Sequence, residues 1–365
     1  MIPNSIIQKT IDELSSITKT EYMVYDDNCN LLIGTGSADI QDKIDRAAIE
    51  SFARSQADSQ SVAGNSFLKV KDEDELAYIV VAGGSSDDVY MMGRVAVCQL
   101  QSLITAYKER VDRTAFYQNL LLDNMLLVDI HNRATKLHIE NDVRRVVYVI
   151  ETSGDKDNVA LELMKNLYVQ QAGNQLLSID EQSIILIKDI DSKTDSEEMQ
   201  EIAEGIVDTL NTEAMLNVRV SFGLAVNELK DLSRSYKEAR MALDVGSIFY
   251  TQLKVLNYET LGIGRLIYQL PLNLCEMFVK EVFGESIPKE LDEETLNIVY
   301  KFFENNLNVS ETSRQLYLHR NTLVYKIEKL QKAIGLDMRV FDDALTFKMA
   351  MMVVDYVNYM HNREM

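Results

Sequence analysis

The sequence of 365 residues contains no tryptophan, three prolines, three cysteines and four histidines. The cysteines (Cys29, Cys98 and Cys275) are too widely spaced for a disulfide framework or a metal site, so we expect free thiols in a reducing cytosol. The histidines show no metal-ligand spacing, and the sequence has no Ser/His/Asp set, glycine-rich phosphate loop or Walker motif. We therefore expect no metal, no cofactor and no catalytic residue.

Long apolar segments are also missing. No stretch approaches the about eighteen consecutive apolar residues that a membrane-spanning helix needs. The first residues, MIPNSIIQKTIDELSSI, lack a basic segment followed by a long apolar run, so we expect no secretion signal. The sequence therefore predicts a cytoplasmic protein that does not span a membrane.

Positive charge is scarce. The chain has 37 Lys and Arg residues against 57 Asp and Glu residues, which gives a formal net charge of −20. This imbalance disfavours loose, non-specific association with nucleic acid and favours solubility. A local basic face on an acidic protein can still bind DNA, and a homodimer would double its phosphate contacts. At this length we expect two or three domains, each with its own core.

A local basic face is found in residues 309–333, VSETSRQLYLHRNTLVYKIEKLQKA, which contain five basic and two acidic residues. The pattern predicts two short helices joined by a tight turn, with Ser310 as the N-cap of the first helix. The turn carries Tyr317 at the place where many helix-turn-helix units have glycine. Apolar residues recur where the two helices bury surface against each other: Leu316, Leu318, Leu323, Ile327 and Leu330.

The polar residues of the second helix suit DNA recognition, because the first residues of such a helix reach base edges in the major groove. We expect Arg320 and Asn321 to contact base edges, since these side chains make bidentate contacts with guanine and adenine. Arg314, Lys326 and Lys329 are expected to contact phosphates. The complete predicted DNA-binding set is Arg314, His319, Arg320, Asn321, Thr322, Tyr325, Lys326 and Lys329. The alternative is an ordinary helical hairpin with solvated charges.

The residues that follow extend this pattern. The HRNT core, the turn Ile334–Gly335–Leu336 and a closing helix rich in Leu, Ala and Met occur in that order. From about Leu291 to Tyr356 the chain resembles the C-terminal DNA-binding domain of bacterial sugar-diacid regulators (CdaR) and purine-catabolism regulators (PucR). Lys326 stands where that family often has Arg. The resemblance implies an all-α helix-turn-helix domain over residues 288–361 that binds operator DNA.

Residues 1–87 show the pattern of a small α+β domain, whose order of elements is that of a small-molecule sensor of the PAS or GAF type. Helices are predicted at Ser5–Thr18 and Asp39–Ala57, and strands at Tyr22–Tyr25, Leu31–Thr35, Phe67–Lys71 and Leu76–Ala82. The segment LLIGTGSADI is similar to one in the same regulator family. This similarity implies a binding loop for a small effector, such as a carboxylate or sugar acid, at Gly34, Thr35, Gly36 and Ser37. The alternative is a simple turn, which two glycines after a strand more often form.

A long helical segment is predicted over residues 88–128. Residues recur there at spacings of three and four, as in paired helices: Val97, Leu100, Ile104, Tyr107, Val111 and Thr114. Such a helix would be about 50 Å long, more than a small domain can bury. We therefore predict a linker that dimerises the protein. The alternative is a single helix packed along the next domain.

Residues 129–262 contain three apolar runs that predict strands buried on both faces: VVYVIE, IILIK and VRVSFGLAV. The last run and the helix after it resemble the degenerate cyclase-like (GGDEF-like) domain of the same regulators. Active diguanylate cyclases hold Mg²⁺ and phosphates with a Gly-Gly-Asp/Glu-Glu-Phe hairpin and a first-strand Asp. Here the hairpin is GNQLLSIDEQSIILIK, and the first strand has no carboxylate before Glu151. Glu151, Asp180 and Glu181 are the only nearby carboxylates, and none stands in the positions that hold Mg²⁺ and phosphates in active cyclases. We therefore expect a catalytically inert scaffold that dimerises the protein or relays a signal.

These patterns together predict a multidomain α/β and α protein with an α+β sensor, a helical linker, a degenerate GGDEF-like domain and a helix-turn-helix domain. We expect a ligand-responsive transcription regulator that binds operator DNA as a homodimer and responds to a small metabolite. The first alternative is a nucleotide cyclase or nucleotide-binding enzyme with an accessory C-terminal domain. The second is a sensory adaptor that acts through protein partners.

Overall fold

The computed structural model describes residues 2–35, 46–62, 64–83, 88–152, 159–169, 173–180, 182–284 and 291–364. The chain divides into two compact units, Met1–Tyr117 and Gln118–Met365. Each unit is built on its own five-stranded sheet.

The first unit contains an antiparallel sheet flanked by helices. Its strands are β1 (Glu21–Asp26), β2 (Leu31–Gly34), β3 (Ser59–Val62), β4 (Asn65–Asp72) and β5 (Glu75–Gly83), in the order β2-β1-β5-β4-β3. Its helices are α1 (Asn4–Thr18), α2 (Arg46–Arg54) and α3 (Val89–Leu121), which continues into the second unit. The four predicted strands are present. The edge strand β3 was not predicted, because its sequence SQSV is polar and mostly exposed.

Both faces of this sheet are covered, because alternate residues of each strand point to opposite sides. Tyr22 and Val24 of β1 belong to the core formed with α1 and α3. Met23 and Tyr25 belong to a second core with Phe52 of α2. The predicted helix at Asp39–Ala57 is observed as α2, and its predicted start lies outside the described residues.

The helix α3 uses part of its predicted pairing pattern within the first unit. Leu100 and Ile104, two residues of the predicted seam, are buried in the core with the sheet. Val111, further along the same pattern, is exposed. The spacing of three and four residues thus reflects packing on the sheet in the first half of the helix.

The second unit begins with a mixed sheet. Its strands are β6 (Arg145–Thr152), β7 (Gln175–Asp180), β8 (Ser183–Asp189), β9 (Val218–Phe222) and β10 (Val255–Asn257), in the order β10-β9-β6-β8-β7. All neighbouring pairs are antiparallel except β9 and β10. Residues 146–150 of the central strand β6 are fully buried, as expected from their unbroken apolar run.

Helices cover both faces of this second sheet. They are α4 (Leu127–Lys136), α5 (Val159–Met164), α6 (Ser196–Glu213) and α7 (Leu232–Phe249). The packing of α5 and α6 forms one core with alternate residues of β6 and β9. On the other side α7 lies so close that a Cβ added to Gly223 would be 2.1 Å from the carbonyl oxygen of Ser235. Glycine is therefore required at position 223.

The C-terminal part of the second unit is helical. It comprises α8 (Ile263–Tyr268), α9 (Leu272–Phe283), α10 (Glu293–Glu304), α11 (Val309–Gln315), α12 (Arg320–Ile334) and α13 (Phe341–Glu364). The first half of α13 packs in a core with α10 and α12 through Phe347 and Ala350. Its second half packs through Val353 and Tyr356 in another core with α8 and α9. One helix thus contributes to two cores.

The N-cap prediction for α11 was wrong. Asn308, not Ser310, is the N-cap, and its Oδ1 accepts hydrogen bonds from the backbone N–H groups of Ser310 and Glu311, both at 3.1 Å. The chain leaves α10 through Asn306 and Leu307, which both have positive φ angles. This sharp turn starts α11 earlier than predicted and places Ser310 in its first turn.

Candidate nucleic-acid interface

The connection between α11 and α12 is a tight, hydrogen-bonded turn. The backbone N–H of Leu318 donates to the carbonyl of Ser313 at 2.9 Å, and that of Tyr317 donates to Arg314 at 3.3 Å. These two bonds are those of a Schellman motif, which requires a left-handed residue immediately after the C-cap. That residue is Tyr317, with φ at 54°. The position where the sequence departs from the usual glycine therefore has the backbone conformation that glycine favours.

The start of α12 is fixed by His319. Its Nδ1 accepts a hydrogen bond from the backbone N–H of Asn321 at 3.3 Å, which makes His319 the N-cap. Arg320, Asn321 and Thr322 are consequently the first three residues of the helix, and all are exposed. Their side chains make no hydrogen bond or ion pair with the described residues, so they are available to an external partner.

The opposite face of α12 holds the domain together. Leu323, Ile327 and Leu330 are buried in one core with Phe302 of α10 and Phe347 of α13. Leu316 and Leu318 are partly buried against the same core. The predicted division of α12 into inward apolar and outward polar residues is therefore correct.

The basic residues of the predicted set differ in their partners. Lys329 is exposed and forms no ion pair with any residue that the structure describes. Lys326 is only 25% exposed, and its Nζ lies 2.7 Å from Oε1 of Glu294 in α10. Arg314 forms an ion pair with Glu311 one turn earlier, at 2.6 Å. Part of the positive charge predicted for DNA is thus already paired.

Two carboxylates show how these charges interact. The pKa of Glu311 is lowered, chiefly by the hydrogen bond from Arg314 and then by that from Gln315. The pKa of Asp292, the N-cap of α10, is lowered by hydrogen bonds from Thr295 and further by the positive charges of Lys326 and Lys329. The first turn of α10 is therefore an acidic neighbour of the basic side of α12.

Two tyrosines add exposed aromatic surface. The side chain of Tyr325, a predicted DNA-binding residue, is 66% exposed, and that of Tyr317 is 97% exposed. Neither is needed for the core of the domain. Tyr317 is not in the predicted DNA-binding set, although its occupation of a glycine position is a signal visible in the sequence.

The predicted effector loop is only partly described. Gly34 is the last residue of β2, opposite Met23 of β1. The hydroxyl of Thr35 accepts a hydrogen bond from the backbone N–H of Tyr22 at 2.9 Å, which closes the end of the strand pair. Gly36 and Ser37 lie outside the described residues. The described half of the loop thus has a structural role, and its role in binding an effector stays a prediction.

Two of the three carboxylates near the cyclase-like site, Glu151 and Asp180, have hydrogen-bond partners within the protein. Arg219 donates through Nε and Nη2 to the same Oε2 atom of Glu151, at 2.9 and 2.6 Å. At the β7–β8 hairpin, Asp180 accepts a hydrogen bond from the backbone N–H of Gln182 at 2.9 Å, and Glu181 lies outside the described residues. A Mg²⁺ site needs carboxylate oxygens open to the metal, and Arg219 already engages one oxygen of Glu151.

Neither a metal-binding cluster nor a membrane-spanning helix occurs among the described residues. No group of three or more His, Cys, Asp or Glu residues among them could hold a metal ion. None of the described helices combines the length and the apolar character that crossing a membrane requires.

Comparison with protein families identifies two domains in this chain. Residues 124–245 match the GGDEF-like domain, and residues 295–353 match the PucR C-terminal helix-turn-helix domain. The second match contains α11, α12 and the turn between them. These two matches confirm the resemblance to PucR-type regulators drawn from the HRNT core and from the run VRVSFGLAV.

Among curated proteins, the chain is similar to the purine catabolism regulatory protein of Bacillus subtilis (25% identity over 173 residues, 46% of this chain and 32% of that protein). It is also similar to the carbohydrate diacid regulator of Escherichia coli (24% identity, 60% of this chain and 59% of that protein). A third relative is the proline-responsive transcriptional activator PutR of Bacillus subtilis (27% identity, 34% of this chain and 31% of that protein). The matched segments thus span between a third and three fifths of the first two relatives.

One solved structure is also similar. It is the regulator of polyketide synthase expression from Bifidobacterium adolescentis, at 14% identity, with 68% of this chain and 92% of that chain covered. Its TM-score of 0.34 is too low to support a common overall arrangement.

Proposed function

We propose that this chain is a ligand-responsive transcription regulator that binds operator DNA through α11 and α12. The observation that carries the proposal is the exposed, unpartnered start of α12, where Arg320, Asn321 and Thr322 are the first three residues of a helix in a PucR-type helix-turn-helix domain. Helices of this kind read base edges with their N-terminal residues. The relatives described as regulators of purine catabolism, carbohydrate diacids and proline response support this function.

The proposed contacts follow from the chemistry and surroundings of each side chain. Arg320 and Asn321 would contact base edges, with Thr322 and Tyr325 beside them. Lys329 would contact a phosphate, because it is exposed and carries an unpaired charge. Lys326 and Arg314 would reach phosphates only by exchanging their present carboxylate partners. His319 would act by fixing the start of α12, since its side-chain Nδ1 caps the helix.

The test uses a duplex that the wild-type protein selects from a randomised library. Arg320→Ala should weaken binding by about 2 kcal/mol, about thirty-fold, and relax base preference at one position. Lys332→Ala is the matched control, because it removes the same charge about 18 Å further along the same helix. Fluorescence titrations measure both. Equal effects of the two substitutions would contradict base reading by Arg320, and a wild type that selects no duplex would contradict DNA binding itself.

We propose a small effector for the first unit. Its helix-flanked antiparallel sheet, with cores on both faces, supports a sensor domain of the PAS or GAF type. Small carboxylates and sugar acids are the proposed ligands, near the end of β2. Thermal unfolding of the full chain with and without each compound tests this, since a bound ligand raises stability with its concentration. No shift with any of these compounds would reject this ligand class.

A homodimer is proposed for operator binding. Two protomers would place two copies of α12 on two half-sites and double the phosphate contacts of an acidic protein. Exposed apolar residues on α3, such as Val111, support its use as the contact. Sedimentation of the wild type and of Val111→Glu tests this assignment. If Val111→Glu still sediments as a dimer, the contact between the two protomers lies outside this part of α3.

We propose further that the GGDEF-like domain has no cyclase activity. The ion pair of Glu151 with Arg219 supports this, because it engages the one carboxylate of β6, the first strand of this domain. Incubation of the purified protein with GTP and Mg²⁺ should give no cyclic dinucleotide. Product formation would favour the cyclase alternative, whereas footprinting without protection of any DNA would favour the adaptor alternative.

A further inference from the structure

Tyr317 has an unfavourable backbone conformation that its side chain does nothing to offset within the chain. It adopts φ of 54°, in the left-handed region where a non-glycine residue costs roughly 1–2 kcal/mol. At 97% exposure it is also the most exposed large apolar side chain among the described residues. Its hydroxyl makes no hydrogen bond with them. The Schellman motif accounts for this backbone, and the side chain it carries is left exposed beside the start of α12, where it is available to an external partner.

Other apolar residues with positive φ show the contrast. Leu307 and Cys29 also have left-handed backbones, but each packs against a core. Burial offsets the strain at these positions. Met215 is the other case without burial, with φ of 55° and 91% exposure. It lies between α6 and β9, far in sequence from α12, so it provides a natural control for Tyr317.

The position of Tyr317 relative to α12 indicates what it would contact. It lies three positions before Arg320 in the sequence, so the Cα atoms of the two residues are at most about 11 Å apart. The major groove is about 12 Å wide, and phosphates line its edges. With Arg320 in the groove, Tyr317 is within reach of the phosphates along the groove edge. It precedes α12 and is therefore not one of the helix residues that contact bases. Tyrosine hydroxyls are among the groups that bind phosphate oxygens in protein–DNA complexes.

We infer that Tyr317 binds the DNA backbone, with its hydroxyl donating a hydrogen bond to a phosphate oxygen and its ring lying against the adjacent deoxyribose. The inference rests on the proposed DNA-binding function and adds a residue to it. The left-handed backbone directs this side chain away from the core of the domain. The side chain is therefore free to reach the duplex. Tyr317 therefore sets the position of α12 in the groove without reading sequence.

The test compares Tyr317→Gly, Tyr317→Asn and Tyr317→Phe in the full chain, on the duplex selected by the wild type. Gly and Asn tolerate the left-handed backbone, so Tyr317→Gly should raise the melting temperature by about 4 °C. The same variant should lose about five-fold in affinity, and Tyr317→Asn should lose as much, because both lack the phenol. Tyr317→Phe should lose about two-fold, because it keeps the ring and lacks the donor.

Two readouts separate this contact from a structural effect. The loss should be equal on duplexes with single-base changes, and the salt dependence should not change, because tyrosine is uncharged. Met215→Gly relieves the same strain at an equally exposed position and should leave affinity unchanged.

Wild-type affinity in both Tyr317→Gly and Tyr317→Asn, or a loss confined to one base position, would overturn the inference while leaving DNA binding intact. A wild type that selects no duplex would overturn both.

Discussion

The GGDEF-like domain and the helix-turn-helix domain use their charged residues in opposite ways. In the first, Arg145 and Glu151 are held by internal partners at 2.9 and 2.6 Å. In the second, Arg320 and Lys329 are exposed at the surface of α12 without an ion pair to any described residue. A charge held inside maintains the fold, whereas an unpaired charge at the start of an exposed helix remains available for a ligand. Lys326, paired with Glu294, stands between these cases.

The largest expected effect concerns the internally held charges. Arg145 is 4% exposed; its Nε donates to Asp189 at 2.9 Å and its Nη2 to the carbonyl of Glu140 at 2.8 Å. Arg145→Ala should lower the free energy of unfolding by about 3 kcal/mol, because the partly buried carboxylate of Asp189 and the carbonyl of Glu140 lose their partner. Denaturant unfolding measures this. Arg219→Ala, in the more exposed pair with Glu151, is the graded control, and an equal loss there would contradict the importance of burial.

The next effect concerns the unpaired charge of Lys329. Lys329→Ala should reduce the slope of log affinity against log salt concentration by about one, since one phosphate contact is lost. Lys326→Ala should reduce it less, because Glu294 already neutralises part of that charge. Titrations at several salt concentrations measure both slopes. Equal slopes for the two variants would mean that the ion pair with Glu294 does not reduce the contribution of Lys326 to DNA binding.

A smaller effect tests the intermediate case directly. Glu294→Gln should raise DNA affinity about two-fold, because Lys326 becomes free to meet a phosphate and the pair it leaves is weak. Glu293→Gln is the matched control, since it removes the same charge from the neighbouring exposed residue. If both variants gain equally, a general reduction of negative charge explains the increase and the specific ion pair does not.

The smallest expected effect concerns an ion pair that stabilises the fold of the helix-turn-helix domain. The hydrogen bond from Arg339 lowers the pKa of Asp337, whose Oδ1 accepts from Nε of Arg339 at 2.8 Å. A depressed pKa contributes stability that is present above the unfolded value and is lost as pH falls through the folded value, here below about 4. Asp337→Asn should flatten this acid dependence, which unfolding curves at several pH values measure. An unchanged dependence would assign it to other carboxylates.

The sequence predicted most of the helix-turn-helix domain because helical periodicity separates its buried and exposed residues. It also identified Tyr317 as the residue in the place of glycine. The pair of Lys326 with Glu294 was not predictable, since it joins residues 32 positions apart in the sequence on different helices. The spacing along α3 was ambiguous, because the same period serves packing on a sheet and pairing of helices. The helices α8 and α9 had no recognisable motif and were missed.

The last helix, α13, limits where the protein can be cut into fragments and how its C-terminal domain can move. Its 24 residues extend about 36 Å, and the family match at residues 295–353 ends at Val353, where the part that packs on α8 and α9 begins. A fragment cut at that boundary would keep the helices α11 and α12 and lose most of the half of α13 that packs on α8 and α9. Any rotation of the second half of α13 against Ile267 and Cys275 would change the orientation of the helix-turn-helix domain as a rigid unit.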